Sequence, residues 1–417
     1  MQFSNRLEEK IDEHALSEIT DPSRLQYETV LILQGGGSLG AYECGVYKSL
    51  AKHGIKFDIT SGTSIGAINA AIIAANTDYE GHSPSTTEES ETDGEESRVA
   101  KVLEDFWLTL AENSTPSFLT DSMRSIWSSM YAALYGNPRA FLPVWPLAAV
   151  NFFQYSPYLY DVAPLKRTLC EYIDFTKFNN RKRVKGGAPR LILSCTDIQK
   201  GEPVIFDSEH TEIDANHVVA CAGFPFYGMA WTQIDGKYLW DGALLSNTPL
   251  REVINASPKM DKSIYIVNLF PHIQEQLPTN MSESWHRARD ILYVDRTDHN
   301  VKMSKVISRY LALLRDMHNI INNSQINEHM KYKLKNIEQE YHKLACERGS
   351  IIREIIRIER KEESHFIFED ADFSVTTIKQ LVIQGEKDAD QVLEERKGRE
   401  EPNSKADDLV GSNNFES

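Results

Sequence analysis

The first regular pattern in the chain is Glu28–Gln34, an apolar run of Val30, Leu31, Ile32 and Leu33 bounded by polar residues. A short continuous run of this kind predicts a buried strand. A glycine loop follows, and apolar positions at helical spacing then predict a helix over 41–53, closed by Gly54. Phe57–Thr60 reads as a second strand and Ile65–Ala75 as a second helix. This order of strand, loop, helix, strand and helix predicts a parallel sheet with helical crossovers. Further strands are expected at Arg190–Thr196, Pro203–Asp207, Tyr238–Trp240 and Ser263–Phe270, with a helix at Ile213–Cys221. From Ser282 to Lys361 the pattern becomes long and helical with charged faces. It predicts two or three surface helices, without the sustained heptads of a coiled coil. A last strand is expected at His365–Glu369 and a last helix at Ser374–Val392. The fold class that emerges is α/β, a three-layer α/β/α arrangement around a mostly parallel central sheet, with a long helical C-terminal extension.

Composition narrows the setting. The 417 residues, 41% of them hydrophobic, are enough for one large domain with additions or for two domains. Met1 to Asp21 is charged and has no signal-peptide core. The longest apolar run, Phe141–Phe153, is too short to span a membrane and is broken by Pro143 and Pro146. The expectation is a cytoplasmic protein, at most peripheral to a membrane. A net charge of −16 argues against nucleic acid as a partner and against a constitutive grip on anionic lipid. Part of that charge lies in two polar stretches expected to be disordered, Thr77–Ser97 and the tail from Glu395 to Ser417. The five cysteines (Cys44, Cys170, Cys195, Cys221, Cys346) are scattered, as reduced buried thiols are. No metal-ligand spacing is present and no cofactor is expected. The pattern carries no signal for an oligomeric state.

Candidate chemistry begins at Gly62-Thr63-Ser64-Ile65-Gly66, a G-x-S-x-G sequence between the second strand and the second helix. That context is what a nucleophile elbow needs: Gly62 and Gly66 leave room for a sharp turn that pushes the Ser64 hydroxyl out of the backbone. The loop Gly35-Gly36-Gly37-Ser38-Leu39-Gly40 admits two functional readings. It fits the dinucleotide pattern G-x-G-x-x-G, with Asp58 near the ribose-binding position. The oxyanion-hole reading, in which Gly36 and Gly37 present bare N–H groups to a developing alkoxide, fits better, because Ser64 already occupies the end of the strand that carries Asp58 and a reactive serine has no part in hydride transfer. Serine needs a proton acceptor. Asp241, in Asp241-Gly242-Ala243 at the end of a strand and before a polar turn, is the best placed carboxylate. His272, which follows Asp241 in the Ser…Asp…His order of a triad, is the rival base.

Taken in order, the glycine loop, the serine pentapeptide and Asp241-Gly242-Ala243 resemble the three signature blocks of the patatin-like phospholipases, over about Val30 to Leu250. Ala222-Gly223-Phe224-Pro225 is similar to the block that precedes the acid in that family. The resemblance is to a bacterial or archaeal branch with a C-terminal helical extension. It implies a lipid acyl hydrolase with a Ser–Asp dyad and no histidine. Ser64 is then the nucleophile and Asp241 the proton acceptor, with Gly242 and Ala243 completing the dyad motif and Gly35, Gly36, Gly37 and Ser38 forming the oxyanion hole. Acyl transfer by the same dyad and a silent lipid-binding scaffold are the alternatives. The implied organisation is an N-terminal segment 1–27, a catalytic domain 28–272, a helical extension 273–394 and a tail 395–417. Within the catalytic domain lie an acidic insertion at 77–98 and an aromatic-rich cap region at 106–160.

That cap region carries Phe106, Trp107, Phe118, Ile126, Trp127, Met130, Tyr135, Phe141, Trp145, Phe152, Phe153 and Tyr158, interrupted by prolines. It is expected either to cover an acyl pocket and touch a membrane transiently, or to pack as ordinary core. The basic run Arg181-Lys182-Arg183-Val184-Lys185 reads as a solvated loop or a phosphate contact. The carboxylate pairs Glu362-Glu363 and Glu369-Asp370 lack supporting ligands, so calcium is not expected.

Overall fold

The structure, a computed structural model, describes residues 27–77, 97–111, 120–144, 157–179, 189–256, 260–322, 352–362 and 368–407. In chain order its elements are β1 (Tyr27–Leu33), α1 (Gly40–Lys52), β2 (Ile59–Gly62), α2 (Ile65–Asn76), α3 (Arg98–Leu110), α4 (Asp121–Tyr135), β3 (Leu142–Pro143), β4 (Tyr160–Asp161), α5 (Ala163–Tyr172) and α6 (Thr176–Asn179). They continue with β5 (Arg190–Asp197), β6 (Glu202–Asp207), α7 (Ala215–Ala220), β7 (Thr232–Ile234), β8 (Lys237–Asp241), α8 (Leu250–Ala256), β9 (Asp261–Asn268), α9 (Met281–Tyr293), α10 (Asp298–Asn322), β10 (Ile352–Glu359) and α11 (Val375–Asp407).

The main sheet runs β10-β9-β1-β2-β5-β8-β7, with β6 paired to β5. β10, β9, β1, β2 and β5 are mutually parallel, while β6, β7 and β8 are antiparallel additions. Side chains alternate across a strand, so β1 serves two cores at once. Leu31 and Leu33 join the larger core with α1 and α2, whereas Val30 and Ile32 join a second core with Ile264, Ile266, Val253 and Val301. Helices on both faces make the three layers.

One topological detail positions the chemistry. β2 pairs with the first half of β5 (Ile59↔Arg190 to Gly62↔Leu193). β8 pairs with its last residues (Cys195↔Asp241 to Asp197↔Leu239), while β6 occupies the opposite edge throughout. β2 and β8 therefore share one edge of β5 in succession. The turn that leaves β2 at Gly62 meets the end of β8 at Asp241.

The C-terminal region departs from its predicted helical character. Residues 352–359 form β10, which adds to β9 in parallel, with Ile352, Ile356 and Ile358 buried. Isoleucines among alternating charges suit a half-buried edge strand, and the charge-rich flanks concealed that period. The last strand expected at 365–369 is not one where it is described: Glu369–Ala371 is a 3-10 turn, and residues 363–367 lie outside the described residues. The last helix runs to Asp407, so Glu395–Asp407 is helical where a disordered tail was expected. Arg396 anchors that stretch to Glu354 (2.8 Å) and to the Tyr265 hydroxyl (3.2 Å). α11 packs on α1 through Ile378, Val382 and Ala389, and Tyr42 and Ser49 donate to Asp388 (3.1 Å) and Asp390 (2.6 Å). The core of the acidic insertion (78–96), the basic run (181–185), Phe118, Trp145, Phe152, Phe153 and Cys346 lie outside the described residues.

Candidate active site

Ser64 joins β2 to α2 with φ 56° and ψ −126°. A non-glycine residue in that region costs about 1–3 kcal/mol and persists only where its surroundings enforce it. Here the enforcement is a close crossing of backbones. A Cβ on Gly62 would lie 2.2 Å from the carbonyl of Gly66, and one on Gly66 would lie 2.4 Å from the carbonyl oxygen of Leu33. Only glycines permit the turn, and the turn projects Ser64 from the N-terminus of a buried apolar helix whose dipole favours developing negative charge there.

Asp241 ends β8 and is completely buried. Its Oδ1 accepts the N–H of Ala243 at 2.9 Å. Burial pushes its pKa up to about 7, and hydrogen bonds from the Ala243 N–H and the Ser64 hydroxyl hold it partly down. Oδ2 has no partner at full hydrogen-bond geometry, so the Ser64 contact is a loose one. Such contacts commonly tighten only when substrate binds. The backbone N–H of Asp241 donates to Gly223 at 3.1 Å, which fixes the Ala222–Pro225 block behind it.

The glycine loop is held by residues the motifs did not single out. Asn247, in the polar turn after Asp241, accepts from Gly35 N–H at 3.0 Å and donates to the carbonyls of Gly35 (3.1 Å) and Tyr293 (3.0 Å). The N–H of Gly35 is thus occupied, which corrects its expected oxyanion role: it is a clamp point. No acceptor among the described residues takes the N–H groups of Gly36, Gly37, Ser38 or Ile65. Ile65, the residue after the serine, was not foreseen as a donor. Gly37 has φ 56°, and a Cβ there would fall 2.2 Å from the Asp370 carbonyl oxygen. Behind the loop, Asn69 of α2 donates to the carbonyl of Gly40 (2.9 Å) and to Glu43 (2.8 Å) and accepts from the Trp107 indole (3.2 Å).

These groups open onto a cavity of about 520 Å³. Gly35, Gly36, Gly37 and Ser64 line one side, and Ile68, Leu110, Met130, Phe141, Val162 and Leu165 form much of the apolar remainder. The aromatic-rich segment divides accordingly. Phe106 and Trp107 are fully buried core, contrary to a cap role, because α3 packs against α1 and α2. Ile126, Met130, Phe141 and Tyr160 do line the cavity. His272 is exposed and is not among the lining residues, so the structure does not bring the rival base to the site. The Cys195 and Cys221 thiols are buried 3.0 Å apart beside β8.

Two groups place three ligand-type side chains within 4.8 Å of one another: Asp207, Glu209 and His210, and His286, Glu362 and Glu369. Both already hold arginines. Arg190 pairs with Asp207 and Glu209, while Arg289 and Arg360 pair with Glu369. They are ion-pair networks by chemistry, and a cation would compete with the guanidinium groups.

A strained serine at a strand–helix elbow, a buried acid on the neighbouring strand end and a bare-amide loop define a nucleophile-elbow α/β protein. Comparison with known proteins makes the assignment specific. The model of the patatin-like phospholipase family matches residues 31–254, and this chain belongs to that family. A second model, described as patatin phospholipase, matches residues 291–405. A 48-residue stretch is 50% identical to lysophospholipase nte1 of Aspergillus terreus, covering 12% of this chain and 3% of that protein. A 52-residue stretch is 50% identical to a patatin-like phospholipase domain-containing protein of Coccidioides immitis, covering 12% and 7%. Over 101 residues the chain is 36% identical to lysophospholipase NTE1 of Meyerozyma guilliermondii, covering 23% and 6%. The chain spans no more than 7% of the length of these relatives. Among solved structures, VipD from Legionella pneumophila aligns over 88% of this chain and 67% of its own, at 15% identity and a TM-score of 0.36. No helix among the described residues is long and apolar enough to cross a membrane.

Proposed function

We propose that this protein is a lipid acyl hydrolase that works through an acyl-Ser64 intermediate. The observation that carries the reading is a strained, outward-turned Ser64 facing a fully buried Asp241, at the wall of an apolar cavity. Ser64 Oγ attacks the ester carbonyl as Asp241 takes its proton. An aspartate at its ordinary pKa is a poor base for this step, and one raised to about 7 is better matched to neutral pH. The tetrahedral oxyanion is met by backbone N–H groups of Gly36, Gly37 and Ile65, a set in which each donor is typically worth about 10²–10³ in rate. Asp241 then returns the proton to the departing alcohol. Water, deprotonated by Asp241, releases the fatty acid from Ser64. The apolar walls suit a fatty-acyl chain, and the names of the fungal relatives favour a phospholipid-derived ester.

A fluorophosphonate probe tests the reading directly. Wild type should be labelled and S64A should not, with hydrolysis of p-nitrophenyl acyl esters falling by about 10³ or more in S64A. Equal labelling of both proteins would remove Ser64 from its role. Label-competent protein that releases no acid, yet moves the acyl group to an added alcohol, would identify a transferase.

A further inference from the structure

The polar side chains around the Ser64 cavity are almost all committed to the protein. Ser129 Oγ donates to the Phe368 carbonyl at 2.9 Å, and the Tyr160 hydroxyl donates to the Ala133 carbonyl at 2.6 Å. Tyr227 donates to Asp370, and the Asn247 amide donates to the carbonyls of Gly35 and Tyr293. Apart from Ser64, the described side chains that line the cavity leave one donor without an acceptor, the hydroxyl of Tyr293. A donor left open at a ligand cavity is available to the ligand.

Tyr293 is the last residue of α9, and its neighbours fix it beside the reacting groups. Its carbonyl is held by Asn247, whose Oδ1 holds the Gly35 N–H. Gly35 in turn abuts the nucleophile: a Cβ on it would lie 2.7 Å from both Asn247 Oδ1 and Ser64 Cβ. The phenol ring packs against Phe224 and Phe270, with ring centres 5.7 and 5.5 Å away. Phe224 follows Gly223, which accepts the Asp241 N–H, so one segment supports both the ring and the acid. Tyr293 is half-buried and also lines a second cavity, of about 440 Å³, together with Phe224, Ala243 and Asn247. The apolar Ile68, Leu110, Val162 and Leu165 line the first cavity alone, whereas Ser246, Thr248 and Thr297 line the second alone. An acyl chain among the apolar walls thus leaves Tyr293 on the alcohol side of the ester bond. Burial, with the Asp370 and Asp241 carboxylates nearby, pushes its pKa up to about 12, so the hydroxyl keeps its proton through the neutral range.

Acyl transfer creates charge at two oxygens. Backbone N–H groups meet the oxyanion, but the alcohol oxygen also gains charge as its bond to the acyl carbon breaks. In a dyad the proton for that oxygen is the one Asp241 has taken from Ser64. A neutral donor on the alcohol side stabilises the oxygen while that proton is delivered. We infer that the Tyr293 hydroxyl donates a hydrogen bond to the leaving alcohol oxygen, as a further catalytic residue of the Ser64 site. The electron pair of the breaking C–O bond goes to that oxygen, the proton comes from Asp241, and Tyr293 keeps its own. The inference rests on the hydrolase reading of Ser64 and adds a third side chain to its chemistry.

The test compares the propyl and p-nitrophenyl esters of one fatty acid. p-Nitrophenolate is a stable anion that leaves without a donor, whereas the oxygen of a departing propanol is strongly basic and needs one. In Y293F, kcat/KM for the propyl ester should fall relative to that for the p-nitrophenyl ester by roughly tenfold to a hundredfold, the range for a hydrogen bond to a charged oxygen. Because the hydroxyl has no partner among the described residues, Y293F should melt with wild type and be labelled by the fluorophosphonate. A labelled Y293F with the wild-type ratio of the two esters overturns the inference and leaves the hydrolase reading intact. So does a Y293F that unfolds or fails to label while wild type labels, since the hydroxyl then serves the fold. Wild type that neither labels nor cleaves either ester overturns both.

Discussion

Replacing Asp241 by asparagine should abolish activity and, at alkaline pH, stabilise the fold. Burial raises the Asp241 carboxyl from its ordinary 3.8 to about 7. Because the folded state holds this proton more tightly than the unfolded chain, ionisation opposes folding. The group's contribution is most favourable at low pH and declines as pH rises from 3.8 through about 7. Over the whole window the loss is roughly 4 kcal/mol, at about 1.4 kcal/mol for each tenfold change in proton affinity, and somewhat over half of it falls between pH 5 and pH 8. Asparagine has the same shape, keeps an oxygen for the Ala243 N–H and carries no charge to bury. Thermal unfolding of both proteins at pH 5 and pH 8 should therefore show D241N gaining on wild type as pH rises, with other titrating groups cancelling in the difference. In wild type, kcat/KM should climb with pH and level off above about 7, as the base form becomes populated. A stability difference that is the same at both pH values would mean that Asp241 is not strained by its burial. The account of how an aspartate serves as base here would then fail, even if D241N were inactive.

Other perturbations probe the supports of the site. N247A leaves the buried Gly35 N–H without its acceptor, and should cost about 1–3 kcal/mol in thermal or urea unfolding. The same variant should lower kcat by more than about tenfold through displacement of the glycine loop; unchanged kcat would make the clamp purely structural. α4 exposes Met123, Ile126, Trp127, Met130 and Leu134 along one face that adjoins the cavity, a surface suited to transient contact with lipid. W127A should weaken partitioning onto neutral vesicles severalfold in a sedimentation assay, and equal partitioning would remove that role. Burial alone would lower His286, but hydrogen bonds to Glu362 and Glu369 hold it up at about 9. Its stabilisation is complete below pH 6.5 and is lost as pH rises through about 9, a change of roughly 1–2 kcal/mol once solvent screening is allowed for. Melting temperature measured from pH 6 to pH 10 should fall more steeply in wild type than in H286Q.

How much of this could be read along the chain depends on how local each feature is. The elbow was legible because its requirements fall within five residues: a strand end, two glycines that must pass each other, and a helix start. The first parallel strands were legible because a strand buried on both faces leaves a continuous apolar run. The β7–β8 hairpin was within reach and was missed. Its turn, Asp235-Gly236, has φ of 49° and 77°, the pair that an Asp-Gly step supplies most readily. Trp107 and Asn247 were visible as residues but not as roles. An aromatic or an amide in a window does not announce that its partner is Asn69 or Gly35, at separations of 38 and 212 residues.

The C-terminal segment shows most clearly where such reading stops. Glu369 and Asp370, set at the end of an expected strand and without metal-ligand spacing, carry no local sign of the ion pairs that bury them. Their partners, Arg289, Arg360 and His286, come from α9 and from the residue after β10, and meet them only because β10 adds to β9 and the following turn docks on Ser38. Local geometry around a reacting atom has to be encoded in a few consecutive residues, or the atom is not presented at all. Contacts that brace the surroundings of that atom can be assembled from anywhere that the sheet brings to its edge. The same division places the candidate nucleophile in a pentapeptide and the turn that docks on its glycine loop more than 300 residues away, within the region matched by the second family model.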